Sequence, residues 1–529
     1  MCFNLFKDYC IECAENNVDE RWNKRSKVMA STGNPSIPQW FRDREVMVTG
    51  GTGFMGKVLL AKLLMSCPDI KAIHVIIRQK KGVPSKVRLT NLLKEEPFRF
   101  LRENQPERLK KLVVVSGDTT SDGLGISAAD AENLKNVSVL INMAANVRFD
   151  LALKTAVNMN TRGTANVLAF AKQLKHLESF VHVSTAYCQC GEEVLEEKYY
   201  PVPISPEEII KLVDETPENV VDAMTAKIIG DQPNTYAFTK ALSEDLIQRS
   251  GLPAGIVRPS IVIGSYKEPD EGWVDNMNGP TGLLIAAGKG VIRTMLCHAD
   301  YNIDVFPCDM AVNATIALAH KVGLESPKTP IFVNLTESNE NPITWRYALD
   351  TGKRHALANP FSGPLWYPGG DFTTSKIYHL LVVFFLHTIP AYLLDALLRL
   401  TGNKPFLVKV QARVNYGMNL VYYYTTKKWI FKNENLKALR ENLNPEDRKT
   451  FFMDIKVIEW NRYLLTYILA TRKYCLKDDP STLPRARRVF AYLYAVDLAV
   501  KIAFGLLLTW FIYSWFFSSE MVISTSVEH

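Results

Sequence analysis

Apolar and polar positions alternate in two different rhythms along this chain. "REVMVTGG" (Arg44–Gly51) is a short apolar run stopped by glycines, the pattern of a buried strand, and "GKVLLAKLLM" follows with helical periodicity. Further strand-like runs come at "AIHVIIR", "KLVVVSGD", "VSVLINMAA", "FVHVSTAY" and "GIVRPSIVIG", with helix-length segments between them. Strands alternating with helices predict an α/β fold with a doubly wound parallel sheet, here over residues 40–322. After about Val322 the rhythm fades, and 323–375 reads as a connecting region. Residues 376–488 read as a helical domain, and 1–39 as a loose leader rich in charge, Ser and Pro.

Two segments of the C-terminal part are strongly apolar. Lys376 to Leu400 is broken by Pro390 and punctuated by His379, His387, Asp395 and Arg399, which suits an interfacial hairpin or a buried helix pair better than a span. Residues 489–517 are long enough to cross a bilayer, with Trp510, Tyr513 and Trp515 suited to an interface. "RARR" (Arg485–Arg488) precedes that stretch, and the tail 518–529 carries no Lys or Arg. The positive-inside bias therefore puts the bulk of the chain in the cytosol.

Composition adds limits. The chain has 529 residues, 47% hydrophobic and 22% charged, which calls for two or more domains and excludes a disordered chain. Lys plus Arg is 62 against 55 for Asp plus Glu, a net +7 that suits anionic ligands or a membrane face and is too diffuse for nucleic acid. Nine Cys, with Cys10 and Cys13 as a lone C-x-x-C, read as reduced thiols with no metal site. The N-terminus is polar where a signal peptide would be apolar.

Chemistry enters at "TGGTGFMGK" (Thr49–Lys57). Gly51 to Lys57 nearly satisfies a Walker A motif, but Val58 stands where Ser or Thr should hold magnesium. The alternative is G-x-x-G-x-x-G at Gly50, Gly53 and Gly56. There the glycines allow the strand-to-helix turn, backbone approach to a pyrophosphate, and close helix packing. The next strand ends in Arg78, followed by Lys80 and Lys81, instead of the carboxylate that holds an NAD ribose. An arginine there can take a 2′-phosphate, so NADPH is the expected cofactor.

"NTYAFTKAL" carries Tyr236 and Lys240 one helical turn apart. A tyrosine can protonate the oxyanion left by hydride transfer if its pKa falls toward neutrality. A nearby cation and a helix N-terminus both act in that direction. Ser184, at the end of "FVHVST", is placed to hold the substrate oxygen. A lone Y-x-x-x-K is an ordinary surface pattern; the glycine loop and strand-end serine upstream make it a catalytic candidate.

This combination resembles the extended short-chain dehydrogenase/reductase superfamily. Through "NMNTRGTANVLAF" the resemblance implies Asn160 as the fourth catalytic residue, and through "SGDTT" it implies Asp118 on the adenine side. It also implies cofactor contacts from Thr49, Phe54, Met55, Ala144 in "INMAANVRFD" and Pro259 in "RPSIVIG", beside the three glycines, Arg78, Tyr236 and Lys240. "VTGGTGFMGKVLLAKLL", "HVSTAYC", "PNTYAFTKAL", "GWVDNMNGPTG" and "HTIPAYLLDALLRLTGNKP" together look like an alcohol-forming fatty acyl-CoA reductase of the insect type. One departure is Asn142, where many such reductases have His. The resemblance implies reduction of a long-chain acyl-CoA through an aldehyde to a primary alcohol, in two NADPH-dependent hydride transfers with release of CoA. Ser184 and Tyr236 would stabilise the oxyanion, and Asp275 and Asn276 would sit on a substrate loop. It implies a membrane anchor in the endoplasmic reticulum, the peroxisome being the alternative, and leaves a homodimer open. Its rivals are another extended reductase, a hydroxysteroid dehydrogenase or an epimerase, and an inactive nucleotide-binding membrane scaffold.

Overall fold

The computed structural model describes residues 34–337 and 340–525, so the Cys10–Cys13 pair and the leader up to residue 33 lie outside the described residues, as does the end of the tail. Its centre is a seven-stranded sheet, every strand parallel to its neighbours: β1 (Glu45–Thr49), β2 (Ala72–Ile77), β3 (Leu112–Ser116), β4 (Val137–Asn142), β5 (Ser179–Val183), β6 (Ala254–Pro259) and β7 (Ile331–Leu335). The spatial order is β7-β6-β5-β4-β1-β2-β3. The order reverses between β1 and β4, which opens a crevice at their C-terminal ends where doubly wound sheets bind ligands.

The strands are continuous apolar runs because both faces of the sheet are covered. Alternate residues feed two cores: Val46, Val48, Val181 and Val257 enter one, while Met47, Phe180 and Ile256 enter the other. The first core takes helix α1 (Phe54–Ser66), and the second takes α2 (Gly163–Ala171) and the end of α3 (Thr235–Gln248). Along the chain follow α4 (Pro280–Gly288), α5 (Cys308–Glu325), α6 (Trp345–Ala358), α7 (Lys376–Leu400), α8 (Leu407–Thr426), α9 (Trp460–Ala470) and α10 (Leu483–Thr525). Helix α5 joins α1 in the first core and is nearly all buried. Its alanines allow close approach to the sheet, where a Cβ on Gly255 of β6 would stand 2.8 Å from Leu318.

Three boundaries differ from the sequence expectation. A short helix, Ile37–Phe41, docks Ile37, Trp40 and Phe41 into the first core at roughly 1.5–3 kcal/mol per side chain, so the packed body takes in the last residues of the expected leader. The expected connecting region contains β7, which pairs with β6 from Ile331↔Gly255 to Leu335↔Pro259. The C-terminal region is no separate body. Ile430–Phe431 pairs with Val194–Leu195, and Leu436, Phe451, Trp460 and Tyr463 belong to the same core as β1. Two helices, Lys376–Leu400 and Pro480–Trp515, are long and apolar enough to cross a membrane.

Candidate active site

The glycine loop turns from β1 into α1 at the crevice. Gly50 has φ +72°, and a Cβ there would meet Ala144 N at 2.7 Å, so β1 and the chain after β4 approach backbone to backbone. A Cβ on Gly56 would lie 2.7 Å from Gly51 Cα. Gly53 donates its N–H to Gly50 O at 2.9 Å and caps α1 with no side chain, so the loop presents bare backbone to an anion, as a dinucleotide pyrophosphate requires. Phe54 stacks on Trp273 with ring centroids 5.3 Å apart, and Met55 is half-buried. Lys57, the phosphate lysine of a Walker reading, is instead paired with Asp275 at 2.6 Å and with Glu95. That same pair engages Asp275, and Asn276 Nδ2 donates to Asp275 Oδ1 at 3.3 Å; the expected substrate-loop residues brace the loop against α1.

On the other side of the crevice Arg78 lies 3.6 Å from Asp118, at the ends of β2 and β3. Asp118 Oδ1 accepts from Thr120 N at 3.0 Å and Thr120 Oγ1 at 2.9 Å. Arg88, which sequence reasoning missed, donates to Arg78 O at 2.6 Å and reaches Thr52 Oγ1 at 3.5 Å, adding a second guanidinium to this edge.

Helix α3 starts where Asn234 Oδ1 accepts from Ala237 N at 2.9 Å, which sets Tyr236 in the first turn and Lys240 in the next. Lys240 is 1% exposed; its Nζ donates to Val183 O at 2.6 Å and stands 2.9 Å from His182 Nε2. Burial brings its pKa down to about 8. Beyond His182, the contacts continue across the sheet. His182 Nδ1 is 3.0 Å from Asn142 Nδ2, Thr49 Oγ1 donates to Asn142 Oδ1 at 2.6 Å, and Ala144 N donates to Thr49 Oγ1 at 3.2 Å. Thr49 and Ala144 thus meet in the crevice, and Asn142 is one link of a buried polar chain from the glycine loop to Lys240.

Two expectations about the catalytic group change. Burial pushes the Tyr236 hydroxyl above its ordinary pKa, with a hydrogen bond from Thr185 as the opposing influence; Lys240 is turned toward His182 and Val183 and does not lower it. The hydroxyl beside Tyr236 is that of Thr185, which also donates to Pro259 O at 3.4 Å. Ser184 donates its backbone N–H to Val257 O at 2.7 Å, and its buried hydroxyl is engaged by the Cys188 thiol.

Asn160 lies in a π-helical segment, Val157–Arg162, ahead of α2. Its Oδ1 accepts from Asn146 N at 2.8 Å, and its Nδ2 donates to Asn146 O at 3.2 Å and to Thr239 Oγ1 at 3.0 Å. It fastens the loop after β4 to α3 and does not touch Lys240. Behind α3, Glu244 and Arg258 form a buried pair at 2.6 Å.

The C-terminal region completes the site, which sequence reasoning did not see. Tyr424 of α8 accepts from Asn234 Nδ2 at 2.8 Å, and Phe149 stacks between Tyr236 and Tyr424. The strand Ile261–Ile263 runs from this aromatic cluster, where Ile261 packs, to a cavity of about 190 Å³ lined by Ile263. Leu283, Met295, Trp345, Trp460 and Tyr467 make its walls almost wholly apolar. Among the described residues no group of His, Cys, Asp and Glu is arranged to hold a metal.

Comparison with known proteins shows the family of the chain. Two family profiles, both described as Male sterility protein, match residues 48–315 (the NAD-binding part) and 386–478 (the Sterile part). Fatty acyl-CoA reductase 1 of Xenopus laevis is 39% identical over 460 residues, covering 86% of this chain and 88% of that one. The human protein of the same name is 38% identical over the same shares, and fatty acyl-CoA reductase wat of Drosophila melanogaster is 33% identical over 90% and 93%. In structure the chain is similar to the reductase domain of a nonribosomal peptide synthetase from Mycobacterium tuberculosis, with TM-score 0.54, 16% identity and coverage of 85% and 95%. It is also similar to the terminal reductase domain of the myxalamid pathway, with TM-score 0.53, 16% identity and coverage of 81% and 90%.

Proposed function

Since the chain belongs to the fatty acyl-CoA reductases, we propose that it reduces a long-chain acyl-CoA to the primary alcohol in two NADPH-dependent steps, releasing CoA after the first and passing through the aldehyde. The single observation that carries the reading is the placement of Thr185, Tyr236 and Lys240 around one point of the crevice, a strand's length from an apolar cavity.

The dinucleotide, when bound, supplies hydride. Gly50, Gly53 and Gly56 give its pyrophosphate a bare backbone cradle, and Arg78 with Arg88 supports a 2′-phosphate, favouring NADPH over NADH. The residues here do the rest. The Thr185 hydroxyl donates a hydrogen bond to the thioester oxygen as negative charge develops on it. The Tyr236 hydroxyl, kept protonated by its burial, is the proton source for the alkoxide of the second step. Lys240 holds positive charge behind Tyr236 and orients the ribose, with Asn160 fixing the loop that frames both. The apolar cavity holds the start of the acyl chain.

Helix α10 anchors the protein in the endoplasmic reticulum membrane with its globular body in the cytosol, the peroxisome being the alternative. The test uses membranes carrying the full chain, a panel of acyl-CoAs and NADPH against NADH, with products separated as aldehyde and alcohol. Alcohol from long acyl-CoA with NADPH is expected. Free aldehyde as the end product would reduce the reading to a single step.

A further inference from the structure

Helix α7 (Lys376–Leu400) turns His379, His387 and Asp395 inward and leaves Lys376 and Arg399 exposed at its two ends. His379 Nδ1 is 3.2 Å from Thr294 Oγ1, His387 Nε2 accepts from Arg293 N at 2.8 Å, and Asp395 accepts from the backbone of Phe406, Leu407 and Val408 at 2.9, 2.9 and 3.0 Å. Eight residues of ideal α-helix would set His387 about 80° off the face of His379, since each residue turns about 100°. A π-helical stretch, Val383–Thr388, lies between them and takes up the difference. The opposite face exposes Leu380, Phe384, Leu386, Leu393, Leu397 and Leu400. An apolar face of this width, with charges only at the helix ends, is not left in water.

The neighbouring helix says what covers it. Helix α10 rides on the globular body through Ala486, Phe490 and Asp497, and Asp497 is the last buried residue along its described side chains. From Leu498 to Trp515, its last described side chain, it runs clear of the body for roughly 27 Å at about 1.5 Å per residue, close to the thickness of a bilayer's hydrocarbon core. At the point of departure Asp497 is bonded by Trp366 Nε1 and lies 3.6 Å from the Arg293 guanidinium. Arg293 is the residue whose N–H is bonded by His387 of α7. The two apolar helices therefore meet at one residue, at the level where α10 leaves the body. The segment that carries Arg293 and Thr294 also contributes Ile292 and Met295 to the wall of the apolar cavity.

We propose that α7 is a second bilayer-contacting element, which lies in the leaflet on the body's side of the membrane and seats the acyl cavity against lipid. This rests on the reading of α10 as a membrane anchor. A long acyl chain then passes between cavity and leaflet without crossing water, while α10 provides only attachment.

The experiment places a photoreactive benzoylphenylalanine in the full chain, in membranes containing phosphatidylcholine with a clickable acyl chain. Separate variants carry it at Phe384, Leu393, Phe504 of α10 and the distant exposed Phe100. Lipid adducts at 384 and 393 at the yield seen at 504, with none at 100, are expected. Adducts at 504 with none at 384 and 393 would overturn the proposal and leave the anchor standing. Crosslinks from 384 and 393 to a second copy of the chain would also overturn it, by making α7 a dimer face. Absence of adducts at 504 would bring down the anchor reading, and the proposal with it.

Discussion

Lys240 Nζ stands 2.9 Å from His182 Nε2 in a site closed to water, so the charge of the lysine fixes the proton of the ring. An ammonium donates to Nε2, which puts the ring proton on Nδ1 and turns the Asn142 carbonyl toward it. The Asn142 amide then donates to Thr49. A neutral amine accepts from Nε2–H, and the amide stands the other way round. Either way the charge at Lys240 is transmitted to Thr49, at the end of the strand that enters the glycine loop.

With burial holding Lys240 near a pKa of about 8, the charged form prevails below that value and is lost above it, so reduction is expected to fall as pH rises through about 8. His182→Leu leaves a buried ammonium with the Val183 carbonyl as its remaining partner. That penalises the charged form more than the neutral one, and the alkaline limb moves to lower pH. His182→Gln keeps an acceptor within reach and should restore the limb. A kcat–pH profile in which Leu and Gln variants behave alike would remove His182 from the account.

Thr185 and Ser184 are adjacent, and their hydroxyls have different partners, Tyr236 for Thr185 and Cys188 for Ser184. Thr185→Val should cost about 100- to 1,000-fold in kcat, the usual loss for one donor to a developing oxyanion. Ser184→Ala removes a hydroxyl engaged by the Cys188 thiol and should cost far less. Tyr236→Phe should abolish alcohol formation while NADPH still binds, as read by fluorescence of the bound nucleotide. Near-normal turnover by Thr185→Val together with a crippled Ser184→Ala would reverse the assignment.

Arg78 lies open beside Asp118, available to a phosphate. Arg78→Ala removes a charge-assisted contact worth about 1.5–3 kcal/mol, so KM for NADPH should rise roughly 10- to 100-fold while KM for NADH changes little. Arg78→Asp should go further and favour NADH. Arg88 holds the Arg78 carbonyl, and Arg88→Ala should weaken NADPH in the same direction but less. An unchanged cofactor ratio in both variants would put the 2′-phosphate elsewhere.

Local pattern made the sheet and the glycine loop legible, because buried parallel strands are continuous apolar runs and the loop's glycines are demanded by backbone contacts inside one turn. β7 escaped since "IFVNL" is short and follows a long helix, and its place depends on pairing with β6, far away in sequence. Thr185 could have been found by reading on two residues past Val183, the end of β5. Tyr424 and the cavity could not, because α8 and α9 reach the site only through tertiary packing, and nothing in an amphipathic helix names its partner. The expectation of a lowered Tyr236 pKa followed from the spacing to Lys240 and from the helix N-terminus. One turn of helix brings Lys240 to the right face, but His182 and the Val183 carbonyl draw its ammonium away from the phenol.

Glu244 follows Lys240 by one turn and pairs at 2.6 Å with Arg258 of β6, both almost fully buried. Arg258 also donates to Glu196 O at 3.0 Å and Lys198 O at 2.9 Å, and its guanidinium lies 4.5 Å from the Phe332 ring centroid. One cation thus ties α3 to β6, to β7 and to the segment 196–198. Arg258→Met leaves the Glu244 carboxylate buried and uncompensated, which should cost about 3–5 kcal/mol. Glu244→Leu leaves the guanidinium with two carbonyls and should cost less. The double variant removes both charges, so its thermal midpoint, read by tryptophan fluorescence in detergent, should lie above that of Arg258→Met alone. If the two losses simply add, the pair is not what holds α3 against the sheet. The activity of the double variant then separates stability from chemistry, since Glu244 and Arg258 stand behind Lys240 and touch no substrate.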